Sequence, residues 1–200
     1  MPALVLASRS PRRRQLLDEA GVAHEARPAD LDDGDLTDAG SDPTHWVAAL
    51  AYLKARRVRD DAPDRFVLGA DTVVVKDGAV IGQPRDVAHA REIVRLLRDG
   101  EHTVATGVAL LRPGAPRLLF VDVARVRVGA VPDREIDAYL ATGDWRGKAG
   151  AYNLSERQDA GWPLVCEGDP ATVMGLPIRR LGPLLAKLSL TPAIADTEAS

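Results

Sequence analysis

Apolar and polar positions alternate in short blocks along the chain, and their spacing switches repeatedly between helix-like and strand-like. Ala3-Leu-Val-Leu-Ala7 is an unbroken apolar run, the pattern of a short buried strand. Ser10-Pro11 follows as an N-cap with proline at the first helical position. Leu16, Leu17 and Ala20 give that helix its apolar face, and Gly21 terminates it. The cap-plus-proline signal recurs at Asp42-Pro43, ahead of Trp46, Val47, Leu50, Ala51 and Leu53 at helical spacing, with an end near Arg59. Phe66-Val-Leu-Gly69 and Thr72-Val-Val-Val75 read as strands, and Asp77-Gly78 as a hairpin turn. A further helix is expected from Asp86 to Asp99, with Ile93, Leu96 and Leu97 on one face and Gly100 closing it.

Beyond His102 the pattern turns to β. Val104 to Leu111 and Leu118 to Val128 are separated by Pro113-Gly114-Ala115-Pro116. Val121, Val123, Val126 and Val128 mark a buried face with one slip of register. Pro132 to Thr142 reads as a short helix closed by Gly143. Gly143 to Gly168 has little periodicity and reads as a long functional loop with a strand at Leu164 to Cys166. Leu176 to Leu188 is a last amphipathic helix. There is no internal repeat, and the class is α/β with a mixed sheet.

Composition narrows the function classes. With 200 residues, 46% hydrophobic and 28% charged, the chain suits one globular domain, expected over 1–190 with 191–200 as a frayed tail. A net charge of −3 and 4% aromatics argue against nucleic acid as a partner. The single cysteine, Cys166, excludes a disulfide framework and a cysteine-based zinc cluster, and its apolar setting reads as core. No apolar stretch approaches the ~18 residues of a membrane helix. The apolar run ahead of Arg9 is too short for a signal peptide. A soluble cytoplasmic protein with no membrane partner is the expectation.

The charge is unevenly placed. Four arginines crowd into Arg9 to Arg14, while Asp30 to Asp42 holds six aspartates and no base. Backbone N–H groups and the dipole at a helix start favour an anion, Ser8 and Ser10 offer hydroxyls, and Arg12 and Arg13 can clamp phosphate oxygens. A capped surface helix with solvated arginines gives the same pattern, but arginine in a first helical turn opposes the dipole. Asp71, in Gly69-Ala70-Asp71-Thr72 at the end of an apolar strand, is placed to hold a metal or activate water. Leu31-Asp32-Asp33 offers a second carboxylate source, and Lys54 on the second helix could reach phosphate. Gly143-Asp-Trp-Arg-Gly147-Lys148-Ala149 is not a phosphate loop, because the glycines are one residue too close and Ala149 replaces the magnesium-binding hydroxyl. His24, His45, His89 and His102 show neither metal-ligand spacing nor triad logic.

Taken in order, these segments resemble the Maf family of nucleotide pyrophosphatases. The matching pieces are Leu6-Ala-Ser-Arg-Ser-Pro-Arg-Arg13, Leu31-Asp-Asp33, Leu53-Lys-Ala55, Leu68-Gly-Ala-Asp-Thr-Val73 and Gly82-Gln-Pro-Arg-Asp86. Thr106-Gly107, Gly147-Lys-Ala-Gly-Ala-Tyr152, Glu167-Gly168 and Val173-Met-Gly-Leu-Pro177 complete the set. The resemblance implies an elongated, curved mixed sheet flanked by helices, with a cleft between two lobes. It implies hydrolysis of a nucleoside triphosphate to the monophosphate and pyrophosphate with Mg²⁺ or Mn²⁺. On the family match Asp71 and Asp33 are the metal-linked catalytic carboxylates and Lys54 is catalytic. Ser8, Ser10, Arg12, Arg13, Thr72, Gln83, Lys148 and Ser155 are the substrate-binding candidates. A homodimer is compatible with the resemblance.

Two positions depart from the family pattern. Asp33 stands where many members carry glutamate, and Gln83 where most carry lysine. Losing one charge-assisted contact costs on the order of 1.5–3 kcal/mol, which Arg85 is a candidate to offset. Arg12 and Thr72 look like the dTTP/UTP-preferring subgroup, while Ser155 matches neither that subgroup nor the 7-methyl-GTP one. The alternative reading is a catalytically weak nucleotide-binding regulator of septation.

Overall fold

A computed structural model describes residues 4–31 and 42–190. Asp33 and the tail at 191–200 therefore lie outside the described residues. The elements run β1 Leu4–Leu6, α1 Pro11–Glu19, β2 His24–Ala26, α2 Pro43–Arg59, β3 Val67–Lys76, β4 Ala79–Ile81 and α3 Val87–Leu97. They continue with β5 Gly100–Arg112, β6 Ala115–Val128, α4 Asp133–Thr142, a 3-10 turn at Ala149–Ala151, α5 Leu154–Asp159, β7 Leu164–Glu167, α6 Pro170–Val173 and α7 Ile178–Lys187. A seven-stranded mixed sheet runs β2-β1-β3-β5-β6-β7, with β4 hydrogen-bonded to β3 off that path. No described helix is long and apolar enough to cross a membrane.

The expected caps form. The Ser10 hydroxyl accepts from Arg13 N–H at 3.4 Å, and the Asp42 carboxylate accepts from Thr44 N–H at 2.7 Å. The Asp77-Gly78 turn has both residues at positive φ, 51° and 79°, as a two-residue hairpin between twisted strands requires.

The strand boundaries correct the sequence reading. Phe66–Gly69 and Thr72–Val75 belong to one strand, β3, so Asp71 lies in mid-strand rather than at a strand end. In β6 the buried residues are Ala124, Val126 and Val128. Val123 is exposed on the other face, and the only register shift against β5 is at Leu110/Arg112, near the hairpin tip. In α3 the buried face is Ala90, Ile93, Val94 and Leu97, with Leu96 exposed; the helix ends at Leu97, and Asp99 rather than Gly100 takes the positive φ. The segment 143–168 folds into the 3-10 turn and α5 instead of an open loop.

Alternation along the long strands divides the core. Leu68, Ala70, Val108 and Leu110 pack with α1 and α7 at one end of a sheet face, while Val74, Val104, Val126 and Val128 pack with α3 and α4 at the other end. Between them, on the same face, stand Thr72 and Thr106, paired across β3 and β5. The opposite face carries α2 through Ala51, Ala55, Val58 and Val47. That helix rides on bare backbone. A Cβ at Gly69 would lie 2.2 Å from the Ala51 carbonyl oxygen, and one at Gly107 2.4 Å from that of Val47.

Of the four histidines, only His102 is buried, and its Nε2 pairs with the Tyr152 hydroxyl at 2.7 Å. Burial, with Lys76 nearby, pushes its pKa down to about 4. Above the unfolded value of 6.5 the ring is neutral in both states. As the pH falls below that, the unfolded chain takes up the proton first, so stability declines toward pH 4.

Urea denaturation at pH 7 and pH 5 should show a loss of about 2 kcal/mol attributable to this histidine. His102→Gln should remove most of it, and an equal loss in both proteins would refute the assignment. Gly69→Ala should lower the unfolding free energy by about 2–3 kcal/mol. Gly82→Ala, where a Cβ meets nothing within 4 Å, should stay within about 0.5 kcal/mol of the parent.

Candidate active site

On one edge of β3, β1 pairs only with Val67 and Leu68, while β4 pairs only with Val74 to Lys76. The stretch from Gly69 to Val73 is left between them with no neighbouring strand on that side among the described residues. A cavity of about 480 Å³ opens at this gap. Because the edge is open, side chains from both faces of β3 reach the same space: Asp71 from the α2 face and Thr72 from the other.

The cavity wall brings together Ser8, Ser10, Arg12, Arg13, Lys54, Asp71, Thr72, Gln83 and Lys148. Ser155 is not part of the wall; its hydroxyl lies 3.6 Å from the sulfur of Met174, which is. Asp33 lies outside the described residues. Arg85 is also absent from the wall, so it does not offset the neutral Gln83 there. Arg146, Tyr152, Met174 and Gly175 line the cavity without having been expected to. Tyr152, Met174 and Gly175 belong to segments that carry the family resemblance. Arg146 sits in the segment set aside as a false phosphate loop, which forms no such loop yet lends Arg146, Gly147, Lys148 and Ala149 to the wall.

Three arrangements define the chemistry. In the first, Lys54 Nζ donates to Asp71 Oδ1 at 2.5 Å, with both side chains nearly buried. The close seating of α2 on Gly69 and Gly107 makes this reach possible, since Asp71 and Gly107 are register partners on the same face. A carboxylate so paired is held in position as an acceptor for a water proton.

The second is a relay of hydroxyls. Arg13 donates to the Gly175 carbonyl at 2.8 Å, to Ser8 Oγ at 3.2 Å and to Thr72 Oγ1 at 3.1 Å. Thr106 Oγ1 gives its proton to the Thr172 carbonyl at 2.7 Å, so Thr72 is the donor in the 2.9 Å Thr72–Thr106 contact. Thr72 therefore meets a ligand only as an acceptor. Thr172 in turn donates to Asp122 at 2.5 Å. Ser8 Oγ also accepts from Ser10 N–H at 3.1 Å, which leaves its own proton to point elsewhere.

The third surrounds Glu156. Its carboxylate pairs with Lys148 and accepts from the Asn153 amide at 2.9 Å. Burial depresses the Arg12 guanidinium and the Glu156 charge pulls the other way. Arg12 Nε is buried with no hydrogen-bond partner among the described residues. A desolvated, unsatisfied guanidinium nitrogen in a cavity wall is a site prepared for an anion.

The donor set also bears on a divalent cation. The described residues contain no group of three or more His, Cys, Asp and Glu side chains able to hold one. Asp71 alone fits Mg²⁺ or Mn²⁺ that takes its remaining oxygens from water and a bound polyphosphate, the usual way magnesium is shared between protein and nucleotide.

Known proteins resemble the chain over most of its length. Residues 3–188 match the family model described as Maf-like protein. The chain is 42% identical to a dTTP/UTP pyrophosphatase of Salinibacter ruber over 179 residues, covering 89% of this chain and 87% of the relative. It is 40% identical to a protein of the same name from Geobacillus sp. over 180 residues, covering 90% and 95%. Among solved structures, a HAM1 protein from Coxiella burnetii superposes with a TM-score of 0.54 at 15% identity, covering 94% of this chain and all of that one; the likeness is one of fold.

Thr106→Val keeps the shape of a wholly buried side chain but takes one donor from the Thr172 carbonyl, which keeps Gly175 N–H at 3.1 Å, and removes the acceptor of the Thr72 hydroxyl. Chemical denaturation should show it destabilised by about 1–3 kcal/mol. A neutral result would mean that the hydroxyl relay carries no weight.

Proposed function

The chain belongs to the Maf family, and on that premise we propose that it hydrolyses dTTP or UTP to the monophosphate and pyrophosphate. The observation that carries this reading is the gathering of Arg12, Arg13, Lys54 and Lys148 around Asp71 in one cavity. A nucleoside triphosphate brings about four negative charges, and such a set of fixed cations stabilises the further charge that develops as the phosphoanhydride breaks. Water adds to the α-phosphorus, the bond from that phosphorus to the bridging oxygen breaks, and pyrophosphate leaves.

Asp71 takes a proton from the attacking water. Lys54 holds its carboxylate in place through the 2.5 Å hydrogen bond. Arg13, braced by Ser8, Thr72 and the Gly175 carbonyl, presents a fixed guanidinium rather than a roaming one. Arg12 satisfies its buried nitrogen on a phosphate oxygen. Lys148 exchanges its Glu156 partner, wholly or in part, for substrate. Asp71, together with substrate oxygens, would hold a divalent cation, and Asp33 is the second carboxylate we assign to it. When bound, that cation supplies charge neutralisation at the phosphates.

The pyrimidine preference rests on the relatives' names and on Thr72. An oxygen that can only accept suits the N3–H that thymine and uracil present, and cytosine lacks that donor.

Pyrophosphate release from dTTP, UTP, CTP, GTP and 7-methyl-GTP with Mg²⁺ or Mn²⁺ tests the reading. Turnover of dTTP and UTP is expected, and Asp71→Asn should reduce kcat at least about 100-fold while its circular dichroism stays native. Orthophosphate as the product, or undiminished turnover in Asp71→Asn, would overturn it.

A further inference from the structure

Six cationic side chains line the cavity: Arg9, Arg12, Arg13, Lys54, Arg146 and Lys148. Arg9 pairs with Asp30, Lys54 with Asp71 and Lys148 with Glu156. Arg13 is braced on three oxygens, and Arg12 is half-buried beside Glu156. Arg146 differs from all of these. Among the described residues its guanidinium meets only the Trp145 ring, 4.6 Å from the centroid, and the Gly143 carbonyl at a long 3.4 Å. No carboxylate among the described residues holds it, and the residue is exposed.

Its mounting is firm although its head is not. Trp145 is buried and its indole N–H donates to the Leu140 carbonyl at 3.1 Å. Gly143 and Gly147 turn the chain at φ 78° and 67° on either side. Gly150 N–H donates to the Gly82 carbonyl at 3.2 Å, which fastens this segment next to Gln83. Gln83 belongs to the cavity wall and carries no charge.

We infer that Arg146 is a substrate-binding residue: its guanidinium turns from the Trp145 face onto the polyphosphate of the ligand, charging the wall that Gln83 leaves neutral. The inference rests on the nucleoside triphosphate reading of the cavity. It assigns the positive charge of that wall to the segment after α4 rather than to the loop after β4. Arginine suits the task because its planar fork can stack on the indole when the cavity is empty and grip two phosphate oxygens when it is filled.

Calorimetric titration of the full chain with inorganic tripolyphosphate in the presence of Mg²⁺ tests this without turnover. Arg146→Ala should weaken binding about tenfold, and Arg146→Lys by no more than about threefold. The double variant Gln83→Lys/Arg146→Ala should recover most of the loss, because it returns one charge to the same wall. With dTTP as substrate, Arg146→Ala should raise KM by a similar factor and leave kcat within about twofold. Binding by Arg146→Ala within twofold of the parent would overturn the inference, as would a double variant no better than Arg146→Ala. If the parent binds tripolyphosphate but hydrolyses no nucleotide, the enzymatic reading fails while the Arg146 ratios still decide the inference.

Discussion

The close seating of α2 on the sheet is the constraint from which the site follows. Two glycines on adjacent strands, Gly69 and Gly107, remove the side chains that would otherwise hold the helix away. The helix answers with alanine at positions 51 and 55. Only at this separation does Lys54 meet Asp71 while both are shielded from water. Bringing two such charges out of water is expensive, and the pair is tolerated because each supplies the other's partner. The packing of the sheet and the reactivity of its central carboxylate are therefore one problem with one solution.

The second organising feature is polar. A strand that buried an apolar residue at every second position would join the two cores into one. Thr72 and Thr106 interrupt that face, and Thr172 on α6 completes a line of hydroxyls between the cores. Buried hydroxyls are acceptable when every donor has an acceptor, and this line achieves that by running from Arg13 through to Asp122. The arrangement fixes proton positions as well as atoms. The acceptor-only character of Thr72 follows from hydrogen bonds formed beyond it.

Local signals were legible in the sequence wherever a single residue determines its own surroundings. Ser10-Pro11, Asp42-Pro43 and Asp77-Gly78 specify caps and a turn by backbone chemistry, and all three formed. Ordered short segments pointed to the family and to most of the cavity wall. What stayed hidden depends on distant partners. Gly69 and Asp71 seemed to break a strand because nothing nearby in sequence shows that a helix will cover the glycine and a lysine will meet the acid. Val121 and Val123 suggested a slip in β6 because α2 covers part of its second face with apolar contacts of its own. The helix α5 is hidden in the sequence because its six residues show almost no periodicity, although Asn153 caps it. Arg146 is hard to read from sequence because the cavity it shares with Gln83 joins positions some sixty residues apart in the chain.

The gap along β3 has a consequence for how the protein can move. The two walls of the cavity are rooted in the same uninterrupted strands, β3, β5 and β6, each of which spans both cores. Swinging one wall against the other would require bending a continuous hydrogen-bonded ladder. The sheet therefore gives the cavity a stiff frame, on which the cations of the wall are set in register. Such a molecule does its ordering once, while folding, and each visiting nucleotide meets a mould already set.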